Sequence, residues 1–357
     1  MKLLAEFAKE IKEVGLKASK SVGLADYKHM KRIEFSGRLS FLVALVLCFY
    51  QLPFIAMFLM AYSLMVKWLL MHHVGHGGYN KIQGIPKRYH SKNYAIGWRR
   101  HIDWFDWIKA DAWNYEHNYL HHYFTGEDKD PDLVEENLSW LANLNLHSSI
   151  KLLILLFFAF TWKFTYYSAQ TLNVRKGSNK INFGNFFDFS QPAQRTMWFE
   201  LFIPYVAFHF ALVTLVLEWL QPGFGMAYLY ARIAAEFLHN FHTFFIIVPN
   251  HCGDDIYRYQ DVARKERGGD AFFLRQVKGS ANFYTGSEWT DLSQMYLNYQ
   301  IEHHLFPALP MRQYRLIQPE VKRICEKYQV PYVQESVWKR SWKMIDIATG
   351  RTQMLVD

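Results

Sequence analysis

Cysteine is scarce in this chain. The 357 residues hold three, Cys48, Cys252 and Cys325, at unrelated spacings. That excludes a disulfide framework and leaves no CxxC pair for metal or redox work. No Ser-His-Asp or Cys-His arrangement offers a nucleophile. Charge of one sign is not concentrated either: 40 basic side chains stand against 32 acidic ones, a formal +8, without the stripe or arm that tracks nucleic acid. The cations flank apolar runs instead (Lys28, Lys31, Arg32 and Arg38; Lys87, Arg88, Arg99 and Arg100), as they do on a cytoplasmic membrane face. Fixed-period repeats and low-complexity segments are absent, and 51% apolar residues exclude disorder. A mean hydropathy of −0.13 leaves too much polar chain for a transporter made almost wholly of membrane helix.

Long apolar runs are present. Ser40 to Met71 gives 32 residues broken only by Gln51, Pro53 and Lys67, too long for one span of ~20 residues. The Gln51-Leu52-Pro53 interruption predicts a hairpin, Phe35–Leu52 and Phe54–His76. A second hairpin, Met197–Leu220 and Gly223–Val248, is split at Pro222-Gly223. Residues 1–34 read as a basic amphipathic lead-in, because Glu6, Lys9 and Glu10 interrupt any signal-peptide core. The run Ile150–Phe160 is too short to span and ends at Trp162 and Lys163, so it is expected to lie in the membrane interface.

These boundaries make an all-α membrane protein of one domain, residues 1–357. Four transmembrane helices form two hairpins (35–76 and 197–248). A helical cap is built from 77–196 and 249–357 on the cytoplasmic side of a bacterial inner membrane or endoplasmic reticulum. The segment Asn173–Gln194, rich in Asn, Ser, Gly and Lys, reads as a mobile connector.

The outlier is histidine, 16 in all, with eight between His72 and His122. They fall in clusters: His72-His73-Val-Gly-His76, His117-Asn-Tyr-Leu-His121-His122, and Gln300-Ile-Glu-His303-His304. At this composition HxxxHH is expected by chance far less than once. An i,i+4 pair sets two imidazoles on one helix face, within reach of one metal, and His122 and His304 point away from their neighbours as ligands shared between two metals would. Sulfur-free imidazole ligation suits iron, copper or zinc. About eight nitrogens exceed the four to six ligands that one first-row metal takes, so two metals are expected. A histidine-rich pair at a membrane surface suits iron and O2 acting on a lipid chain.

With these motifs the sequence resembles the membrane fatty acid desaturase superfamily, known by its boxes HxxxH, HxxHH and a third HxxHH or QxxHH. The likeness runs from about Val66 to Tyr332. It includes Thr125 and Asp130-Pro131-Asp132 after the second box, and Arg275-Gln276 through Asn282-Phe283 before the third. Leu305-Phe306-Pro307 follows the third box, whose leading Gln300 is typical of front-end and related acyl-lipid members. His73 stands where the family usually has aspartate. The second box is one residue longer than HxxHH, as in many front-end members, and no HPGG haem motif of a fused cytochrome b5 domain is found.

The resemblance implies metal ligands at His72, His76, His117, His121, His122, His303 and His304. It adds His251 just past Pro249 at the end of the last span. His73, Gln300 and Asn250 are further candidates for metal contact or for support of a ligand. It implies two iron ions, O2 as co-substrate, a lipid or acyl-thioester substrate, and a separate electron donor, ferredoxin or cytochrome b5 with a reductase. Inside the fourth span Arg232, Glu236, His239 and His242 form a polar stripe, read as an internal ion pair with hydrogen-bonded imidazoles or as the lining of a tunnel. His242 lies about 13 Å along the helix from His251, too far for both to bind one metal. Two other readings stand beside desaturation. One is a lipid hydroxylase on the same irons; the other is a non-catalytic metal-binding membrane protein.

Overall fold

The computed structural model describes residues 2–176, 184–260 and 269–357. The middle of the expected connector, residues 177–183, lies outside the described residues, while 173–176 are helical and 184–187 form a turn. Nearly all regular structure is helical. Two short parallel pairs, β1 (Tyr257–Arg258) with β4 (Leu355–Val356) and β2 (Asn282–Phe283) with β3 (Gln334–Glu335), stitch the chain between them.

Helix α1 (Lys2–Ser21) turns Phe7, Ala8, Ile11 and Ala18 inward and its lysines outward. Helix α2 (Leu24–Phe49) begins eleven residues before the expected first span, because Gly23 and Asp26 close its N-terminus: the Gly23 N–H donates to the Asp26 carboxylate at 3.0 Å. Helix α3 (Pro53–Gly75) carries Pro at its first position, where a missing N–H costs nothing. Gly37 lets α2 and α3 close up, since a Cβ there would meet Val66 at 2.6 Å. A break at residues 50–52 makes them antiparallel, as the Gln51-Leu52-Pro53 signal predicts.

A helical stretch over residues 110–124 (α4) leaves the α-form for a π-helix between Asn114 and His121. Helix α5 is the main departure from expectation. The apolar run does not stop at Lys163 but continues to Arg175, giving 28 residues from Ser148. Lys163 is tolerated inside because it is fully buried with its Nζ 2.7 Å from Asp106 and over the Trp68 ring. Helix α6 (Pro192–Leu220) packs on α7 (Phe224–Ile247), and Gly225 admits the backbone of Thr214, whose oxygen a Cβ would meet at 2.2 Å. Three of these helices, α3, α5 and α6, are long and apolar enough to cross a membrane. Helices α2 and α7 also bare large apolar side chains to the outside, among them Phe35, Leu42, Tyr230 and Ile233.

The helix ends sort to two sides. The turns after α2 and α6 meet: the rings of Phe49 and Phe224 sit 5.6 Å apart and Gln51 lies against Gly223. The opposite ends of α3 and α7 carry His72, His76 and, just beyond, His251. Both ends of α5 lie on that histidine side. Lys151 near its start donates to the carbonyls of Ala142 and Thr349, and Ala169 and Leu172 near its end pack with Ala193, Met197 and Leu201 at the start of α6. Short helices α8 (Asp270–Lys278), α9 (Glu288–Ser293) and α10 (Gln300–Leu305) follow, then α11 (Met311–Lys327) and α12 (Val337–Ala348). Arg340 of α12, fully buried, clamps the segment after α7 through the carbonyls of Pro249 and Cys252 and the carboxylate of Asp255.

Candidate metal centre

Where α3, α4, the segment after α7 and α10 converge, eight of the predicted histidines come together. Ligand-capable atoms of His72, His76, His117 and His303 lie within 4.8 Å of one another, and so do those of His121, His251 and His304. His122 sits between the two sets. Its Nε2 is 3.3 Å from that of His117, and its ring lies 4.3 Å from the ring of His304 and 4.5 Å from that of His76.

The second box departs from its helical reading. In an α-helix His117 and His121 would share one metal. Here each joins a different set, although together with Asp132 they also form a third group within 4.8 Å. The π-helix explains why His117 and His122, five residues apart, meet. Its ladder runs i to i+5, so the added residue of the longer box is taken up by a wider turn.

In four of these histidines the outer ring nitrogen is committed. His121 Nδ1 donates to Asp130 at 2.9 Å, His304 Nδ1 to the Gln276 side-chain oxygen at 3.0 Å, and His251 Nδ1 to the Gly279 carbonyl at 3.5 Å. His303 Nδ1 is 3.2 Å from the Tyr314 hydroxyl. A neutral imidazole has one N–H, so in these four the inward Nε2 holds a lone pair. Such nitrogens face one another closely: His304 Nε2 is 3.2 Å from His251 Nε2, and His303 Nε2 is 2.9 Å from His72 Nε2. His76 Nε2 is buried with no hydrogen-bond partner among the described residues. Lone pairs crowded inward with their backs held by acceptors are the arrangement of metal-ligating histidines. The donor set fits two first-row metal ions.

The electrostatics agree for five of the histidines and run the other way for His121. Burial pushes His117, His122, His251, His303 and His304 well below the usual imidazole range, reinforced by their neighbours, and so keeps them neutral. For His121 burial acts in the same direction, but the Asp130 carboxylate outweighs it and the net shift is upward. Beside it, burial and the charge of Asp132 push Glu116 well above the usual carboxylate range, and the Tyr167 hydroxyl donates to it at 3.2 Å.

The other candidates separate. Gln300 reaches the centre, its side-chain amide lying 2.7 Å from His251 Nε2. His73 turns away to the Met295 carbonyl at 3.2 Å, and Asn250 donates to the carbonyls of Ile246 and Leu297. Arg232 and Glu236 form the expected ion pair at 2.8 Å, joined by Tyr205 and Trp107. His242 contacts the Ser293 carbonyl at 2.7 Å, whereas neither nitrogen of His239 has a partner among the described residues. Asp130, Asp132, Gln276 and Tyr314 escaped the sequence reading as site residues. The Asp130-Pro131-Asp132 triplet and Gln276, in the run before the third box, gave a signal only through the family resemblance, and Tyr314 gave none.

An apolar cavity of about 90 Å³ opens beside the histidines. Trp68, Trp162, Tyr167 and Phe244 wall it, and His72, His117, His121 and His251 reach it. Trp113 covers the centre, its ring stacked 4.3 Å from that of His117.

Comparison with known proteins agrees with this geometry. The family model described as fatty acid desaturase matches residues 49–336. An NADPH-dependent stearoyl-CoA 9-desaturase of Mycobacterium tuberculosis is 27% identical over 263 residues, covering 69% of this chain and 58% of that protein. An acyl-lipid (7-3)-desaturase of Diacronema lutheri is 27% identical over 282 residues, 76% of this chain and 57% of that protein. A delta(8)-fatty-acid desaturase of Helianthus annuus is 37% identical over 89 residues, 25% of this chain and 18% of that protein. The chain thus spans less than two thirds of the length of these relatives.

Proposed function

The chain belongs to the fatty acid desaturase family, and on that premise we propose that it is an O2-dependent acyl desaturase working with two iron ions. The observation that carries this reading is the pair of histidine sets, with inward lone pairs, beside an apolar cavity. His72, His76, His117 and His303 would hold one ion and His121, His251 and His304 the other, with His122 between them and Gln300 at His251. Bound there, iron supplies an oxidant strong enough for unactivated C–H bonds, which side-chain acid–base chemistry cannot break.

The residues do the rest. Trp68, Trp162, Tyr167 and Phe244 exclude water and hold an acyl chain against the histidines. Asp130, Gln276 and Tyr314 fix the ring orientations. Two hydrogens leave adjacent methylenes of the chain and, with two electrons and two protons from outside, reduce one O2 to two waters. A separate carrier, ferredoxin or cytochrome b5 with its reductase, delivers the electrons.

We further propose four spans, α2, α3, α6 and α7, under a cytoplasmic cap. Support comes from the two adjoining turns, the outward apolar faces of α2 and α7, and α5, whose ends both lie on the histidine side. A helix with both ends on one side lies in the interface whatever its length.

Lipid analysis of a host with and without the gene tests the reaction: a new unsaturated acyl species is expected. Metal analysis of the purified protein should find about two irons per chain, given four to six ligands per ion. Stoichiometric zinc in a protein that still converts substrate would sink the iron assignment.

A further inference from the structure

A second, larger apolar opening lies on the other side of α7 from the histidine cavity. It is a groove of about 730 Å³ running between α3 and α7 under α9 and α12, lined by Ala61, Met65, Leu152, His239, Phe241 and Phe245 among others. That volume is in the range of sites that enclose small molecules. Three tryptophans line it while remaining largely bare, Trp289 at 78%, Trp338 at 79% and Trp342 at 55% exposure. Half-apolar, half-polar indoles collect where a bilayer meets water.

His239 marks the groove as more than a furrow filled by passing lipid. It is 1% exposed and lines the groove, yet neither ring nitrogen has a hydrogen-bond partner among the described residues. An imidazole brings one donor and one acceptor, and burying both unused is costly. One turn nearer the cap, His242 faces the same groove and is satisfied by the Ser293 carbonyl. The ring of His239 stands 6.3 Å from that of Trp68, which walls the histidine cavity from its far side.

We propose that this groove binds a glycerolipid of the surrounding bilayer, one acyl chain lying along α3 and α7 and its ester carbonyl accepting a hydrogen bond from His239. Depth selects the ester. His242 is level with α9, whose Trp289 lies in the groove's rim, and His239 lies only about 4.5 Å beneath that level along α7. That is where a lipid's ester linkages sit, not its methyl ends. Charge disfavours a phosphate as the recognised group, because the cations that act on His239 are engaged, Lys163 by Asp106 at 2.7 Å and Arg232 by Glu236 at 2.8 Å, as are Lys339 and Lys343 beside the rim tryptophans, by Glu335 at 2.6 Å and Asp255 at 2.5 Å. The proposal rests on the membrane topology proposed above and not on the reaction.

The test uses the full chain in lipid nanodiscs with a phosphatidylcholine that carries a mid-chain diazirine, cross-linked by light and mapped by peptide mass spectrometry. Groove peptides containing residues 238–246 and 337–345 should label more strongly than the outward face of α6 around Leu215, which meets bulk lipid only. Ala61→Phe and, separately, Leu152→Trp should fill the groove and remove that excess while the α6 signal stays. His239→Leu should lower groove labelling about fivefold, the loss expected for one hydrogen bond, and His239→Gln should retain most of it. A phosphatidylglycerol probe should label equally well. Groove labelling no stronger than at α6, or unaffected by both filling variants, would overturn the site. Equal loss in His239→Leu and His239→Gln, or labelling confined to the anionic lipid, would overturn the ester assignment, as would stronger labelling by a diazirine acyl-CoA. If desaturation is absent but these results hold, the reaction assignment fails and the lipid site stands; active protein without groove labelling gives the reverse.

Discussion

His121 illustrates what a residue's spacing can and cannot disclose. That it belongs to a cluster able to hold a metal was legible from HxxxHH, because such a run has little other purpose. Its partner set was not, since the π-helix between Asn114 and His121 sends it to His251 and His304 instead of to His117 alone. Nor was its support. Asp130 is nine residues on in a loop, and the groups behind His303 and His304, Tyr314 and Gln276, come from other helices. No periodicity records such contacts. Asp130→Asn removes the charge that holds the His121 N–H outward and should lower iron affinity on the order of 10–100-fold, read as iron per chain after dialysis. His239→Gln, inside α7 and outside both histidine sets, should leave iron unchanged. Iron loss there with full retention in Asp130→Asn would show that the wrong histidine had been taken from α7.

At the scale of elements, α3, α6 and α7 were legible to within a few residues because lipid demands long apolar runs and turns punctuate them. The start of α2 and the length of α5 were not. A charged residue in an apolar run reads as an end unless its partner is known, and the partner of Lys163 is Asp106, 57 positions away. Asp106→Asn leaves that ammonium buried and unpaired, so it should destabilise the fold by about 3 kcal/mol, measured as thermal unfolding in detergent. The double variant Asp106→Asn with Lys163→Met should recover most of the loss.

The clamp of α12 on the segment after α7 makes a second element-scale prediction. Burial raises the affinity of Asp255 for a proton, but Arg340 and Lys343 outweigh it and hold the carboxyl below its usual value. A depressed carboxyl stabilises the fold above its unfolded pKa and loses that contribution as pH falls through the folded one. Asp255→Asn should therefore be less stable than the parent at pH 7, with the gap closing below about pH 4. A gap independent of pH would mean that the clamp works by packing alone.

For the whole molecule the open question is which ends share a side, and this is where sequence alone was weakest. An apolar run around 150–170 could be a fifth span or an interfacial helix, and each choice assigns the last 109 residues (249 to 357) to a different face. Length now argues for a span, because 28 helical residues cover about 42 Å, enough to cross ~30 Å of hydrocarbon. Contacts argue against it. Lys151 is held at the cap by Ala142 and Thr349, and the Ala169–Leu172 end packs where α6 begins, the end of α6 farthest from the Gln51–Gly223 contact. A helix cannot span a bilayer and return both termini to one surface, so contacts should prevail over length. Reporter tags placed ahead of residue 2, within 177–183 and after residue 357 should then all be accessible from the cytoplasm in intact cells. A tag at 177–183 protected there, or accessible only from the opposite side, would make α5 a span and force the two halves of the histidine centre onto opposite faces of the membrane, which the grouping of His121 with His251 and His304 within 4.8 Å does not permit.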